Sequence, residues 1–482
     1  MPAGAIHDRV FRGGLILDGS GRPGTLGDVA VDGERIAAIG PAGTLQGREV
    51  ADISDQAIAP GFIDVHTHDD RLVLDDPAMA PKVSQGVSTV VVGNCGISLA
   101  PIAWPNNGEP IQPFNLLGHG KDFRFPRMAD YVAAIDAAKP AVNVAVLVGH
   151  STLRVQAMGD LERAATTAEI ETMRGILAEA LDAGVTGLSS GLFYPPARHA
   201  AEDEVIPLAA DVASAGGVYT THMRDEDDRV LDSLEETFTV GREAKLPVVV
   251  SHHKCNGRRN WGRSAETLGA IERAAAQQPV GVDAYPYSAS STVLDAEGID
   301  DDLRTLVTWS EPHPEMAGRD LADIAKDWGV SQREACARLD PAGAVYFHMH
   351  EDDVRRILQH PLVMIGSDGL PHDQHPHPRL WGTFPRVLGH YARDLGLFPL
   401  EEAVRKMTAL PAQRFNLKDR GRIEAGAFAD LVVFDPKTVL DAATFERPIA
   451  PARGIALVLV NGTVAYANGE SGARNGRFLR RG

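Results

Sequence analysis

The chain has 482 residues, 44% of them apolar, enough for one large domain and a smaller module. Its formal net charge of −18 excludes the basic surfaces by which proteins hold nucleic acid or anionic membranes. Three scattered cysteines, Cys95, Cys255 and Cys336, argue against a disulfide framework and for a reducing, cytoplasmic compartment, and neither a signal peptide nor a membrane span is expected.

Residues 8–60 read as short strands, 10–17, 28–31 and 35–39, punctuated by Asp18-Gly19 and Asp32-Gly33 turns. From 61 onward the pattern changes. Apolar runs at 61–65, 89–93, 143–148, 187–189, 218–221, 247–251, 280–284 and 362–366 alternate with amphipathic stretches such as 167–183, 231–244 and 265–277. Eight strands alternating with helices predict a closed parallel (β/α)8 barrel over 61–414. A long loop near the active face is expected over 101–125. The gap between strands seven and eight is too long for a bare loop, so an inserted subdomain is expected over 288–350, acidic at its start. After the barrel, 429–435 and 455–460 are strand-like and Asn461-Gly462 is a turn signal. Residues 1–60 and 415–482 are thus expected to build one small β-sandwich domain from both ends.

The chemistry-bearing residues gather at predicted strand ends, where barrels of this type carry their sites. Strand one runs Gly61-Phe62-Ile63-Asp64-Val65 into His66-Thr67-His68, and alternation sends both imidazoles to one side. Strand two ends in Gly93-Asn94-Cys95-Gly96, strand five in Thr221-His222, strand six in Ser251-His252-His253-Lys254, and strand eight in Gly366-Ser367-Asp368. His, Cys and Asp are the usual zinc ligands. A His-x-His pair alone is also what two surface histidines look like, and a lone cysteine is usually a small buried hydrophobe. Five such residue sets at five strand ends make coincidence a poor account.

These motifs resemble the amidohydrolase superfamily and, within it, the N-acyl-D-amino-acid deacylase (D-aminoacylase) family. Pro60-Gly61-Phe62-Ile63-Asp64 with His66 and His68, Gly93-Asn94-Cys95-Gly96, Tyr219-Thr220-Thr221-His222-Met223-Arg224-Asp225-Glu226, Ser251-His252-His253-Lys254, Asp283-Ala284-Tyr285-Pro286-Tyr287 and Gly366 to His372 carry the resemblance, together with the run from His377 to Arg386. It spans nearly the whole chain. Hydantoinase-like and dihydroorotase-like members carry a carboxylated lysine at the end of strand four. Here that strand reads Gly187-Leu188-Ser189-Ser190-Gly191-Leu192-Phe193, without lysine, and the resemblance gives Cys95 the bridging role.

The resemblance implies zinc-dependent hydrolysis of the amide bond of an N-acyl-D-amino acid. One tightly held zinc is implied on Cys95, His222 and His252, and a weaker second site on His66, His68 and Asp368. Asp368 is the implied base, and Lys254, Tyr285, Ser291 and Arg379 match the family's clamp for the substrate carboxylate, where arginine offers a two-pronged fork. The partner is then a small molecule, and the enzyme a monomer or small homo-oligomer. Relatives acting on D-glutamate or D-aspartate derivatives carry a cation after strand seven. Segment 288–302 has no Lys or Arg and five acids, so like-charge repulsion points to neutral or basic side chains.

Other features are expected to be bystanders. His348-Met349-His350 reads as a solvated polar face, His372, His375 and His377 as pocket lining, His150 as an orienting group, and Cys255 and Cys336 as structural. Ser189 and Ser190 lack the Gly-x-Ser-x-Gly elbow of a serine nucleophile. The competing readings are an acidic-side-chain deacylase, a cyclic-amide hydrolase of the same superfamily, and a non-catalytic binding protein on a degenerate barrel.

Overall fold

A computed structural model describes residues 5–104 and 108–482. Residues 1–4, at the head of the first expected domain, and 105–107, inside the expected loop 101–125, lie outside the described residues.

Eight parallel strands follow one another in chain order: Phe62–Asp64, Val87–Val92, Asn143–Gly149, Gly187–Gly191, Val218–His222, Val248–Val250, Val280–Ala284 and Val363–Ile365. Each is buried on both faces, which is why strands such as Asn143–Gly149 and Val248–Val250 read as largely apolar runs. Alternation still sorts them. Ile63, Val65, Val91, Ala145 and Leu147 point into the barrel with Val249 and Met364, whereas Val90, Val92, Val144, Val146 and Val148 pack on the helices outside. A parallel bridge from Thr67 to Gly369 returns the eighth strand end to the first. There the His68 amide donates to the Gly369 carbonyl at 3.0 Å and the Asp368 amide to the His66 carbonyl at 2.7 Å.

The outer helices begin where the sequence supplies caps. Thr166 accepts from the Glu169 amide while the Glu169 carboxylate accepts from the Thr166 amide at 2.7 Å, opening helix Thr167–Asp182. That helix buries Met173, Leu177, Ala180 and Leu181 against the barrel.

The terminal strands join one hydrogen-bonded sheet of nine, in which Ala57–Pro60 pairs antiparallel with Leu431–Phe434. A bridge from Arg35 to Phe428 brings its two arms together over a core of Phe11, Val29, Ile36, Ile58, Leu431 and Leu459. Between the seventh and eighth barrel strands, Ser290–Val293, Thr305–Ser310 and Ala342–Tyr346 form a separate antiparallel sheet. Helices Leu321–Trp328 and Gln332–Leu339 cover it and close a core of its own, in which Cys336 is buried. The stretch 101–125 is not bare loop. It pairs Ile102–Ala103 with Arg124–Phe125 and carries two short 3-10 turns.

Candidate metal centre

Cys95 leaves the second strand through a turn that only small neighbours allow. Gly93 and Gly96 sit at φ +80° and +77°, and a Cβ would meet the Leu147 carbonyl oxygen at 2.1 Å and the Gly191 nitrogen at 2.5 Å, respectively. The Gly96 amide donates to Ser189 Oγ at 3.0 Å, so Ser189 anchors the cysteine loop rather than acting as a nucleophile. Cys95, His252 and Asp368 themselves have positive φ (54°, 33° and 50°), a conformation that non-glycine residues hold only when their surroundings enforce it.

These turns aim donors from strand ends one, two, six and eight at one point. His66 Nε2 lies 3.2 Å from Cys95 Sγ, His252 Nε2 lies 3.4 Å from it, and Asp368 Oδ1 lies 3.5 Å from His66 and 3.3 Å from His68. The donor atoms of His66, Cys95, His252 and Asp368 all fall within 4.8 Å of one another. Ligands around a tetrahedral zinc stand roughly 3.3–3.8 Å apart, so the donor chemistry and spacing suit that ion. His222 packs its ring 4.5 Å from that of His252, and its Nε2 stands 3.8 Å from the Glu226 carboxylate. Four of the six residues expected as ligands thus meet at one point, His68 reaches it through Asp368, and His222 stands beside it against His252.

Burial pushes Cys95 up, but His66 and His252 outweigh it and hold the thiol well below its ordinary value. Burial likewise pushes Asp368 up, while the Arg379 guanidinium and the His252 and His68 imidazoles hold its carboxyl well below the usual carboxylate range. Asp368 is an ionised acceptor at neutral pH.

The donors lie under a cavity of about 980 Å³ whose wall includes His68, Cys95, His222, His252 and Asp368. Lys254, Tyr285 and Ser291 also line it, whereas Arg379 is fully buried behind them, its Nη2 2.9 Å from Asp368 Oδ2 and 3.0 Å from the Ser291 carbonyl. The Arg379 guanidinium stacks 4.6 Å over the Tyr285 ring. Tyr285 Oη, Ser291 Oγ and Arg379 Nη1 are buried without a hydrogen-bond partner among the described residues. Tyr194 closes one side, its ring 4.8 Å from that of His222 and its hydroxyl 3.0 Å from Thr292 of the inserted sheet.

Several neighbours differ from their expected places. His348, expected on a solvated face, is buried on the cavity wall beside Tyr346, because the inserted sheet folds it inward. His350 fits the solvated reading and caps the helix Glu351–Gln359. His377 is buried, accepts the Arg379 amide at 2.9 Å and lies off the cavity wall. His150 meets Glu204 at 2.9 Å.

Sequence reasoning gave no role to four residues that hold the donors. Asp283 accepts from the His252 amide at 2.8 Å and meets His66 Nδ1 at 3.3 Å. Lys82, fully buried, donates to Asp64 at 2.8 Å and to Thr67 and Ser367 at 2.9 Å, tying strand one to strand eight. Asp64 accepts the Ser367 amide at 2.8 Å, and Glu226 accepts from Lys254 at 2.7 Å. The only sequence signal was that Asp64, Glu226 and Asp283 fall inside the quoted motifs.

The Amidohydrolase family's sequence pattern matches residues 49–297 and 327–466. The D-aminoacylase of Alcaligenes xylosoxydans xylosoxydans is 54% identical over 475 residues, covering 98% of each chain. A crystal structure of D-aminoacylase superposes with a TM-score of 0.96 at 53% identity, over 98% of this chain and 100% of that one. The N-acyl-D-glutamate deacylase of Bordetella bronchiseptica, solved with zinc and a phosphonate mimic of the tetrahedral intermediate, gives 0.95 at 47% identity over 99% and 100%.

Proposed function

The chain belongs to the amidohydrolase family, in its D-aminoacylase branch, and from that premise we propose how its residues carry out zinc-dependent hydrolysis of N-acyl-D-amino acids. The observation that carries the reading is the convergence of Cys95, His252 and Asp368, on the cavity wall, with His66 buried behind them.

Cys95, His222 and His252 hold the tightly bound zinc, and His66, His68 and Asp368 form the weaker second site. Zinc, when bound, supplies Lewis acidity and makes a water nucleophile available near neutral pH. Asp368 accepts the proton of the attacking water and delivers it to the leaving nitrogen. Its ionised state suits the first transfer, and its buried ion pair with Arg379 fixes the carboxylate for both.

Lys254, Tyr285 and Ser291 receive the substrate carboxylate, backed by Arg379 immediately behind them. The unpartnered hydroxyls of Tyr285 and Ser291 and the free Nη1 of Arg379 supply donors, and Lys254 supplies charge. The side chain then lies toward segment 288–302, whose Asp295, Glu297 and Asp300 to Asp302 line the cavity. Four arginines also line the cavity, fewer than its acids: Arg333 donates to the Ile299 carbonyl at 3.1 Å, Arg258 stands 3.8 Å from Asp302, Arg259 stands 3.3 Å from Asp228, and Arg198 is exposed. An acidic substrate side chain meets net negative charge there, which favours neutral or basic D-amino acids.

We assign residues 1–60 with 415–482 to a small terminal domain, 61–414 to the catalytic barrel, and 288–350 to an insertion that walls the cavity. Among the described residues no helix is long and apolar enough to cross a membrane. The three cysteines are all free, which suits a reducing, cytoplasmic compartment.

A screen of N-acetyl and N-formyl D- and L-amino acids with zinc-loaded enzyme tests the reading. D-leucine, D-methionine and D-lysine derivatives are expected to be cleaved. N-acetyl-D-glutamate outrunning them overturns the side-chain assignment, and turnover of hydantoin or dihydroorotate instead overturns the reaction class.

A further inference from the structure

His252 presents its two ring nitrogens to opposite surroundings. Nε2 faces Cys95 Sγ at 3.4 Å, while Nδ1 faces Glu226 Oε1 at 3.1 Å and Lys254 Nζ at 2.8 Å. An imidazole can bind a metal through Nε2 only when the proton sits on Nδ1. The two neighbours of Nδ1 pull that proton in opposite senses. A carboxylate accepts from Nδ1–H and frees Nε2. An ammonium has no acceptor and can only donate to a bare Nδ1, which leaves the proton on Nε2 and blocks it. Lys254 is two residues along the same chain and buried, which keeps its ammonium against the ring. Glu226 resolves the conflict by taking Lys254 for itself, with both carboxylate oxygens 2.7 Å from Nζ, while Oε1 also meets Nδ1.

Glu226 could also be read as a metal ligand, since its oxygen lies 3.8 Å from His222 Nε2 and the trio His222, Glu226 and His252 is compact enough for an ion. The Lys254 ammonium already occupies the cation's place at this carboxylate, and a second cation there would face it at close range.

We propose that Glu226 is a positioning residue that fixes the Nδ1–H tautomer of His252 against the competing Lys254 ammonium, so that a cationic substrate clamp and a neutral zinc ligand can stand side by side. The proposal rests on zinc being held by Cys95, His222 and His252.

Zinc alone, titrated into metal-free full-length protein against a chromophoric chelator, tests it. Glu226→Gln keeps the size of the side chain but loses its charge, and zinc affinity should fall about 10- to 100-fold, as for other outer partners of ligand histidines. Lys254→Met should bind zinc as tightly as the unaltered protein. The double variant, Glu226→Gln with Lys254→Met, should regain most of the lost affinity, because the competing donor is gone. Wild-type affinity in Glu226→Gln overturns the proposal, and so does a loss that Lys254→Met leaves unrelieved. If Glu226→Gln does not fold, Glu226→Asp, which keeps the charge but shortens the reach to Nδ1, is compared with and without Lys254→Met by the same criteria. Cys95→Ala separates the two readings: if it binds zinc as well as the unaltered protein, the zinc assignment itself has failed.

Discussion

Asp368 on the cavity wall is locked to Arg379 behind it, carboxylate to guanidinium at 2.9 Å, with the arginine fully buried. The carboxylate proposed as the base is therefore held by a charge that cannot be solvated away. Asp368→Asn keeps the shape and removes the proton acceptor. It should retain most of the tightly bound zinc by metal analysis while kcat falls by several orders of magnitude. Turnover close to the unaltered enzyme in that variant would sink the assignment of the base.

Gly96→Ala probes the turn that presents Cys95. Its Cβ would stand 2.5 Å from the Gly191 nitrogen, on a backbone at φ +77°. Left-handed strain and overpacking together should cost about 3 kcal/mol of unfolding free energy. Denaturant titration measures that loss, and zinc content should drop with it because the thiol is displaced. A variant as stable and as zinc-rich as the parent contradicts the account of this turn.

Lys82→Met removes the amine that ties strand one to strand eight. Asp64 and Asp69, at 2.8 and 3.3 Å from Nζ, would be left as buried carboxylates without their cation. The expected loss is about 3–5 kcal/mol by denaturant unfolding. A neutral result would mean that the carboxylates are satisfied from elsewhere.

Much of the site could be read from local pattern, because barrel ligands sit at strand ends and each strand end announces itself by an apolar run followed by His, Cys or Asp. Lys82 could not be read so. It lies in a short helix, Ala80–Val83, where a lysine looks like any solvated charge, and its burial depends on Ser367, far along the chain. Asp283 and Glu226 were visible as residues but not as partners of His66 and His252, since those pairings arise only when separate strands are laid side by side. His348 was misplaced for the same reason: its acidic sequence neighbours suggested water, and the inserted sheet turned it inward.

The acid limb of stability should carry the mark of Glu204. Burial pushes its carboxyl up, but His150 and Arg154 outweigh that and hold it at about 2, against 4.5 when free. A depressed carboxyl stabilises the fold above its free value, and the contribution fades as pH falls through about 2. The amount is on the order of 3 kcal/mol. Glu204→Gln should lower stability at neutral pH and flatten the pH dependence between these two values, as followed by unfolding at a series of pH values. An unchanged acid limb would remove Glu204 from the account.

The ladder between Ala57–Pro60 and Leu431–Phe434 has a consequence for how the chain is made. At about 5–20 residues per second of synthesis, the earlier strand waits roughly twenty to seventy seconds for its partner to leave the ribosome. The barrel can begin to assemble in that interval, but the nine-stranded sheet cannot be completed. Its N-terminal strands, with Ile58 and Val29 still uncovered, spend that time as open edges that another nascent chain could join. Rapid overproduction shortens the distance between such chains, so lowered expression temperature or abundant chaperone should favour soluble enzyme over aggregate.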